Sequence, residues 1–270
     1  MTELLHEIVV PAPARKLFDL IADVVEAPQY FPTHLYAEIA SIESAHRDLV
    51  GRWVVDNGTV RGWRLWRTRD TEALAISFEH EAPKPPLTRM RGNWTFEALA
   101  DGGTHVRVRH TFELATTTPA EAAEQVCAKL DDNVPAQLDN LAALACHIDV
   151  LRANTFTSER AVRVDAPAAS LAENAASSLG DPAQWALLEL ADGLLVFKQH
   201  AGLEPHLHTS TGEYRRTEEA DGTTVRLRRT VTLSGRPSPQ EAARAREQLE
   251  ADVRDQIARF ARSGPYAPVR

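Results

Sequence analysis

Apolar and polar positions alternate with a period of two through most of the first 115 residues, and a period near 3.6 takes over at two places. Glu3–Val10 alternates and reads as a strand that stops at Pro11 and Pro13. Ala14–Glu26 has helical spacing, with Leu17, Phe18, Ile21 and Val24 on one face, until Pro28 and Pro32 interrupt it. Four strand-like runs follow: Leu35–Ser44, Arg52–Asn57, Thr59–Arg69 and Ala73–Glu81. Two more, Asn93–Leu99 and His105–Leu114, are joined by ADGG, a hairpin signal. Thr118, Pro119 and Glu121 then supply an N-cap, a first-turn proline and a capping-box acid for a long amphipathic helix running to about Ala145. Consecutive strands with short turns make an antiparallel sheet, and its large apolar partner is the final helix. The pattern therefore predicts an α+β unit in which a curved sheet grips a helix over a cavity.

The unit is written twice. The stretch 78–114 returns as 197–233, with Phe78 matching Phe197, Gly92 matching Gly212, Trp94 matching Tyr214 and Gly102 matching Gly222. TPAEAA (118–123) returns as SPQEAA (238–243), and VVPAPA (9–14) as RVDAPA (163–168). The spacing is unequal: 65 residues separate Pro13 from Phe78, but only 30 separate Pro167 from Phe197. The second copy has room there for a helix and a hairpin, WALLEL-ADG-LLVFKQH, so it is expected to lack about two strands. Two tandem domains follow, 1–150 complete and 151–270 shortened.

Alternation sorts the side chains of the first copy. Trp63, Leu65 and Arg67 share one face, together with Arg61 and Arg69. Ile76, Phe78 and His80 group together, as do Gly92, Trp94 and Phe96. Val106, Val108, His110 and Phe112 form an apolar face that includes a histidine. An arginine on such a face is costly unless paired, and no inward acid is evident on neighbouring strands. Arg67 therefore either binds an oxygen-rich ligand in a wet cavity, or reaches the rim or an acid from a loop. His80 and His110 are either hydrogen-bonded core residues or proton carriers.

Composition narrows the field. The net charge of −8 excludes a general nucleic-acid footprint, and 43% hydrophobic residues suffice for two cores. No segment approaches the roughly 20 apolar residues of a membrane span, and the N-terminal MTELLHEIVV is not expected to be a signal peptide. Cys127 and Cys146 have no paired spacing, which suits a reducing cytoplasm. His206 and His208 have metal-like spacing but no third ligand, so no metal site is expected. No phosphate loop or nucleophile motif is present.

The order of IVVPAPARKLFDLIADVVEAPQYFP (8–32), VRGWRLWRTRD (60–70), ISFEHEAPKPPLTRMRGNW (76–94) and VRVRHTFEL (106–114) resembles the didomain aromatase/cyclases of bacterial type II polyketide synthases. These are START-like, Bet v 1-like helix-grip proteins of the polyketide cyclase superfamily. The resemblance implies two tandem helix-grip domains and no cofactor. It implies an activity that closes and dehydrates the first ring of a poly-β-ketone held on an acyl carrier protein. Ketosynthase and ketoreductase of the same pathway are further expected partners, nucleic acid and membrane are not. Carried over by position, Trp63 and Arg67 match the family's cavity tryptophan and arginine, with Arg67 polarising a ketone oxygen. His110 becomes a candidate proton carrier, and His34 falls near where a tyrosine hydroxyl is common. Leu65, Phe78, His80, Met90, Trp94, Asn133 and Gln137 complete the expected substrate contacts. The chain departs from the family at Leu65, where a hydroxyl is usual, and at Ala27, where an aromatic residue is usual. Lys84, Arg89 and Arg91, expected in the loop before the Trp94 strand, are the candidate carrier-docking patch. A non-catalytic lipid or polyketide carrier and an assembly scaffold are the alternatives, since fold alone does not decide function.

Overall fold

The computed structural model describes residues 1–56, 58–164, 171–219 and 222–262. They form two sheets whose described pairings are all antiparallel. The first contains β1 (Thr2–Val10), β2 (His34–Ile42), β3 (Arg47–Asp56), β4 (Thr59–Asp70), β5 (Ala75–His80), β6 (Leu87–Ala98) and β7 (Thr104–Leu114), in the order β1-β7-β6-β5-β4-β3-β2. Helices α1 (Ala14–Ala22) and α2 (Ala27–Tyr30) join β1 to β2, and α3 (Ala120–Ala153) follows β7. The second sheet contains β8 (Thr155–Val164), β9 (Trp185–Leu190), β10 (Leu194–Gln199), β11 (Leu207–Glu219) and β12 (Gly222–Leu233), in the order β8-β12-β11-β10-β9. It carries α4 (Leu171–Leu179) and α5 (Pro239–Arg262). Laid over each other, the two orders agree strand for strand except that, among the described residues, the second copy has nothing in the place of β2 and β3. The helix-grip pair, the second member short by two strands, is therefore present. The Asp165–Ala168 part of the repeat lies outside the described residues.

Backbone packing gathers the chain into two compact units. One comprises Met1–Ala27, Ala37–Trp53 and Gly62–Ile148; the other comprises Pro28–Tyr36, Val54–Arg61 and the chain from Asp149 onward. Two segments of the first copy, 28–36 and 54–61, thus collect with the second unit.

Within the first unit, α1 starts behind Pro13 and buries Leu17, Phe18 and Leu20. Each such side chain contributes roughly 1.5–3 kcal/mol on leaving water. Phe18 meets Phe96 of β6 edge to face at 6.1 Å. The inward row of the sheet matches the alternation: Leu65, Ile76, Trp94, Phe96, Val106, Val108 and Phe112 are buried. Gly92 has a steric reason to be glycine, because a Cβ there would overlap the Phe78 ring and the Arg109 carbonyl.

Several boundaries differ from expectation, α3 among them, which runs to Ala153 rather than about Ala145, and two matter most. β3 begins at Arg47 rather than Arg52, and β6 begins at Leu87 rather than Asn93. Charged residues at the heads of both strands hide them from a hydrophobicity reading, because sheet pairing overrides weak local preference. Arg89 and Arg91 are therefore strand residues, not loop residues. Arg89 donates to Glu79 at 2.7 Å, and Arg91 reaches the Met1 Sδ at 3.7 Å.

In the second unit, β10 is buried on both faces, which is why LLVF reads as a continuous apolar run. Leu195 and Phe197 face α5 and its Leu249, Val253 and Phe260, while Leu194 and Val196 pack with Leu35, Tyr36, Val55 and Val60. Lys198 continues the latter face. Its buried ammonium donates to the carbonyls of Pro28, Phe31 and His34, each at 2.8 Å. Three acceptors match the three N–H bonds of a protonated lysine, although burial pulls its pKa down to about 7. α5 opens with a reciprocal capping box: Ser238 N–H donates to Glu241 at 2.7 Å, and Glu241 N–H donates to Ser238 Oγ at 3.3 Å.

Candidate active site

A single transverse row organises the inner face of the first sheet. Leu4 pairs with His110, His110 with Gly92, Gly92 with Phe78, and Phe78 with Arg67. Because Gly92 has no side chain, the Phe78 ring lies down across it and meets the His110 ring at 5.5 Å, edge to face. One level along, Leu65 pairs with His80. The His80 ring stacks on Trp63, with centroids 6.3 Å apart and planes 10° apart, and lies 6.4 Å from Phe78. His110, Phe78, His80 and Trp63 thus form a continuous aromatic ladder on β7, β5 and β4. Phe78, His80, Trp63 and Met90 are only half-buried, unlike the buried Ile76, Trp94 and Val108 on the same face. This end of the inner face is the less buried one.

The electrostatics of the two histidines follow from that setting. His110 is 7% exposed, and its Nδ1 has no hydrogen-bond partner among the described residues. Burial first, then the charges of His6 and His80, push its pKa down to about 4. His80 is lowered as well, by burial and then by the charge of Arg52. Both rings are therefore neutral near pH 7, and a neutral imidazole has one nitrogen free to accept a proton. His6 donates to or shares a proton with Asp131 of α3 at 2.9 Å.

Arg67 has a different environment from the one anticipated. It is 4% exposed, and its Nε and Nη2 donate to Asp48 Oδ1 and Oδ2, both at 2.9 Å. Its Nη1 donates to the Ala22 carbonyl at 2.9 Å, with the Ile21 carbonyl at 3.5 Å. Arg69 also reaches Asp48, at 3.3 Å. The expectation that no inward acid faces Arg67 is corrected: Asp48 sits on neighbouring β3, which starts five residues earlier than the hydrophobic pattern shows. The bidentate pair ties β3, β4 and the end of α1 together.

The other anticipated residues separate into groups. Trp94 is buried between Ile76 and Val108 and stacks on Phe96 at 6.2 Å, so it forms wall rather than recess. Met90 pairs with Phe112. On α3, Val134, Leu138 and Leu141 are buried, Gln137 is half-buried, and Asn133 is exposed. His34 collects with the second unit: its ring lies 5.0 Å from Phe31 and its carbonyl accepts from Lys198. His206 and His208 diverge, the first toward Glu204 at 3.4 Å and the second toward the Tyr30 carbonyl at 2.9 Å.

Asp48, Arg52 and Lys198 were not singled out from the sequence. Asp48 and Arg52 were within reach. Counting outward from the Asn57-Gly58 dipeptide, a hairpin signal, puts position 48 opposite 67 and position 52 opposite 63. Lys198 has no such signal, because its acceptors are backbone carbonyls.

An antiparallel sheet, a long helix after it and a half-buried aromatic and imidazole face make up the first copy of the helix-grip fold. Residues 10–139 match the family model described as polyketide cyclase / dehydrase and lipid transport. The chain is similar to the granaticin polyketide synthase bifunctional cyclase/dehydratase of Streptomyces violaceoruber, 38% identical over 141 residues, 52% of this chain and 43% of the relative. It is also similar to the actinorhodin polyketide synthase bifunctional cyclase/dehydratase of Streptomyces coelicolor, 29% identical over 159 residues, 59% of this chain and 49% of the relative. The chain thus spans less than half the length of these relatives. Among solved structures, the di-domain ARO/CYC BexL superposes over 100% of both chains with a TM-score of 0.70 at 24% identity. The di-domain ARO/CYC StfQ from the steffimycin biosynthetic pathway covers 95% of this chain and 96% of its own, with a TM-score of 0.65 at 21% identity. Both share the tandem fold. No helix among the described residues is long and apolar enough to cross a membrane.

Proposed function

We propose that this chain is a polyketide aromatase/cyclase: it closes the first ring of a carrier-bound poly-β-ketone by an aldol reaction and dehydrates the product. The observation that carries the reading is the His110–Phe78–His80–Trp63 ladder within the segment that matches the polyketide cyclase family model. Aromatic faces hold the flat chain, and positioning alone supplies much of the rate of an intramolecular closure. The neutral imidazoles take and return the protons that the aldol and dehydration steps move. Arg67 supports the site as a brace, since Asp48 and the α1 carbonyls occupy its donors. The relatives' names, which place them in polyketide synthases, favour an acyl carrier protein and other enzymes of such a pathway as partners. Two free cysteines suit a cytoplasmic setting.

The test is the product made from a carrier-bound poly-β-ketone with and without the protein, read by mass spectrometry. The wild type is expected to raise the fraction of aromatic, first-ring-closed product, and His110→Gln to lower it about 10²-fold with unchanged circular dichroism. A folded His110→Gln protein with the wild-type product profile refutes the assignment. Binding of the chain without turnover would favour the carrier reading.

A further inference from the structure

β1 presents Leu4, His6 and Ile8 to the inner face and Glu3, Leu5, Glu7 and Val9 to solvent. His6 pairs with Val108 and Leu4 with His110, so the two histidines are diagonal neighbours on adjacent antiparallel strands. Such neighbours lie roughly 7–8 Å apart, within reach of aromatic side chains. The His6 side chain crosses to α3, where its Nε2 meets Asp131 Oδ1 at 2.9 Å. A carboxylate only accepts, so Nε2 of neutral His6 carries the hydrogen and Nδ1 keeps the lone pair. That Nδ1 is buried without a partner among the described residues, and so is Nδ1 of His110. Two such nitrogens on one face are costly unless something joins them. Exposure also rises in one direction along the three groups: His110 is 7% exposed, the His6 side chain 12% and the Asp131 side chain 58%. In the second copy Arg160 lies opposite Leu227 and Arg229 opposite Ser158, so arginine stands in the place of both histidines.

We propose that His6, held by Asp131, is the proton partner of His110: the proton that His110 takes from the substrate moves on to His6. The inference rests on the cyclase reading above and names how its base is restored. In the step concerned, the C–H bond between two carbonyls breaks, its electron pair stays on the substrate as the enolate, and the proton goes to His110 Nε2. His110 Nδ1–H then passes its own proton across one bridging water to His6 Nδ1. The positive charge comes to rest on His6, against the Asp131 carboxylate, as it does on any histidine backed by a buried or half-buried acid. Each step takes one proton from carbon and returns one to oxygen, first to the alkoxide of the aldol and then to the departing hydroxyl. The pair therefore ends as it began, and no further reactant enters. With its pKa held down to about 4, chiefly by burial, the His110 imidazolium gives up a proton readily. A second base beside it keeps that proton from returning at once to the same carbon. His6 and Asp131 act through His110 and are positioning residues.

The full chain, isotope-labelled at its histidine nitrogens, is read by heteronuclear NMR near neutral pH beside the polyketide assay. Wild type is expected to show His6 as the Nε2–H tautomer and His110 as the Nδ1–H tautomer. His6→Gln, which can still bond Asp131 but relays no proton, should abolish the Nδ1–H preference of His110. It should also lower kcat for aromatic product roughly 10²-fold at unchanged KM. Asp131→Asn changes an exposed side chain and covers the case that the glutamine variant misfolds. It should mix the His6 tautomers and lower kcat about tenfold. Glu7→Gln, which removes an outward carboxylate from the same strand, should leave both readouts unchanged. Wild-type kcat in folded His6→Gln or Asp131→Asn, or an Nε2–H tautomer of His110 in the wild type, overturns the inference, while a wild type that cyclises keeps the cyclase reading intact. A wild type that makes no aromatic product removes that reading, and the relay with it.

Discussion

The row that crosses the first sheet, Leu4–His110–Gly92–Phe78–Arg67, has a counterpart in the second: Ser158–Arg229–Gly212–Phe197–Leu187. The Phe-over-Gly crossing is the same in both, down to the overlap a Cβ would cause at Gly92 or Gly212. What flanks it is not. In the second unit Arg229 donates to Ser210 at 2.9 Å and to Gln256 at 3.2 Å, and lies 5.5 Å from the Trp185 ring. Tyr214, the counterpart of Trp94, shares a hydrogen bond with Ser178 at 2.5 Å, accepts from Gln256 at 3.0 Å and stacks on Phe260 at 4.9 Å. Polar groups on that face are largely spent on one another and on α5. In the first unit His110 keeps a ring nitrogen without a partner among the described residues, and His80 stays half-buried. The missing strands explain the rest. Among the described residues the second copy has no counterpart of β3 and so no Asp48, and Leu187 stands in the place of Arg67. Among the described residues one frame is present twice, and the ladder of His110, Phe78, His80 and Trp63 once.

The contrast is most exposed at Asp48. Asp48→Asn leaves a buried guanidinium without its carboxylate and should cost about 3–5 kcal/mol in urea unfolding. A cost below about 1 kcal/mol would mean that the ion pair does not separate the two copies. Next comes pH. His110 titrates near 4 when folded and near 6.5 when unfolded, so the unfolded chain binds more protons between those values. Stability is therefore full above about 6.5 and falls as pH drops toward 4, by up to roughly 3 kcal/mol. His6 of β1 and His80 of β5 face the same ring and contribute to its shift. His110→Phe should flatten that slope in denaturation curves taken at pH 4.5 and 7, whereas an unchanged slope assigns the titration elsewhere. The smallest effect tests the shared crossing itself. Gly92→Ala and Gly212→Ala should each cost about 1–3 kcal/mol, and to a similar degree. Only Gly92→Ala should also change the cyclisation product, since it displaces Phe78 from the histidine ladder. Equal loss of product in both variants would place chemistry in the second unit too.

Much of this was legible along the chain. Period-two alternation grouped Trp63 with Leu65, Phe78 with His80, and His110 with Val108 and Phe112, each on its own strand, while the place of Gly92 across from Phe78 came from the pairing of β5 with β6. The capping box of SPQEAA needs no tertiary information, since all its partners lie within four residues. Asn133 and Gln137 show where helical spacing loses resolution: over 34 residues of α3 a small error in phase rotates a position from the sheet to solvent. His34 shows the limit of reading by copy, since it comes from the first repeat yet packs with the second unit.

The sequence by itself determined that there are two copies, that the second is two strands shorter, and which side chains share a face. Those properties are local: turn residues and the two-residue period are written in consecutive positions. Only the folded chain decided that Arg67 meets Asp48 and that Lys198 is held by three carbonyls. Each depends on register between strands or on backbone atoms that every residue possesses, and neither leaves a mark in the order of side chains.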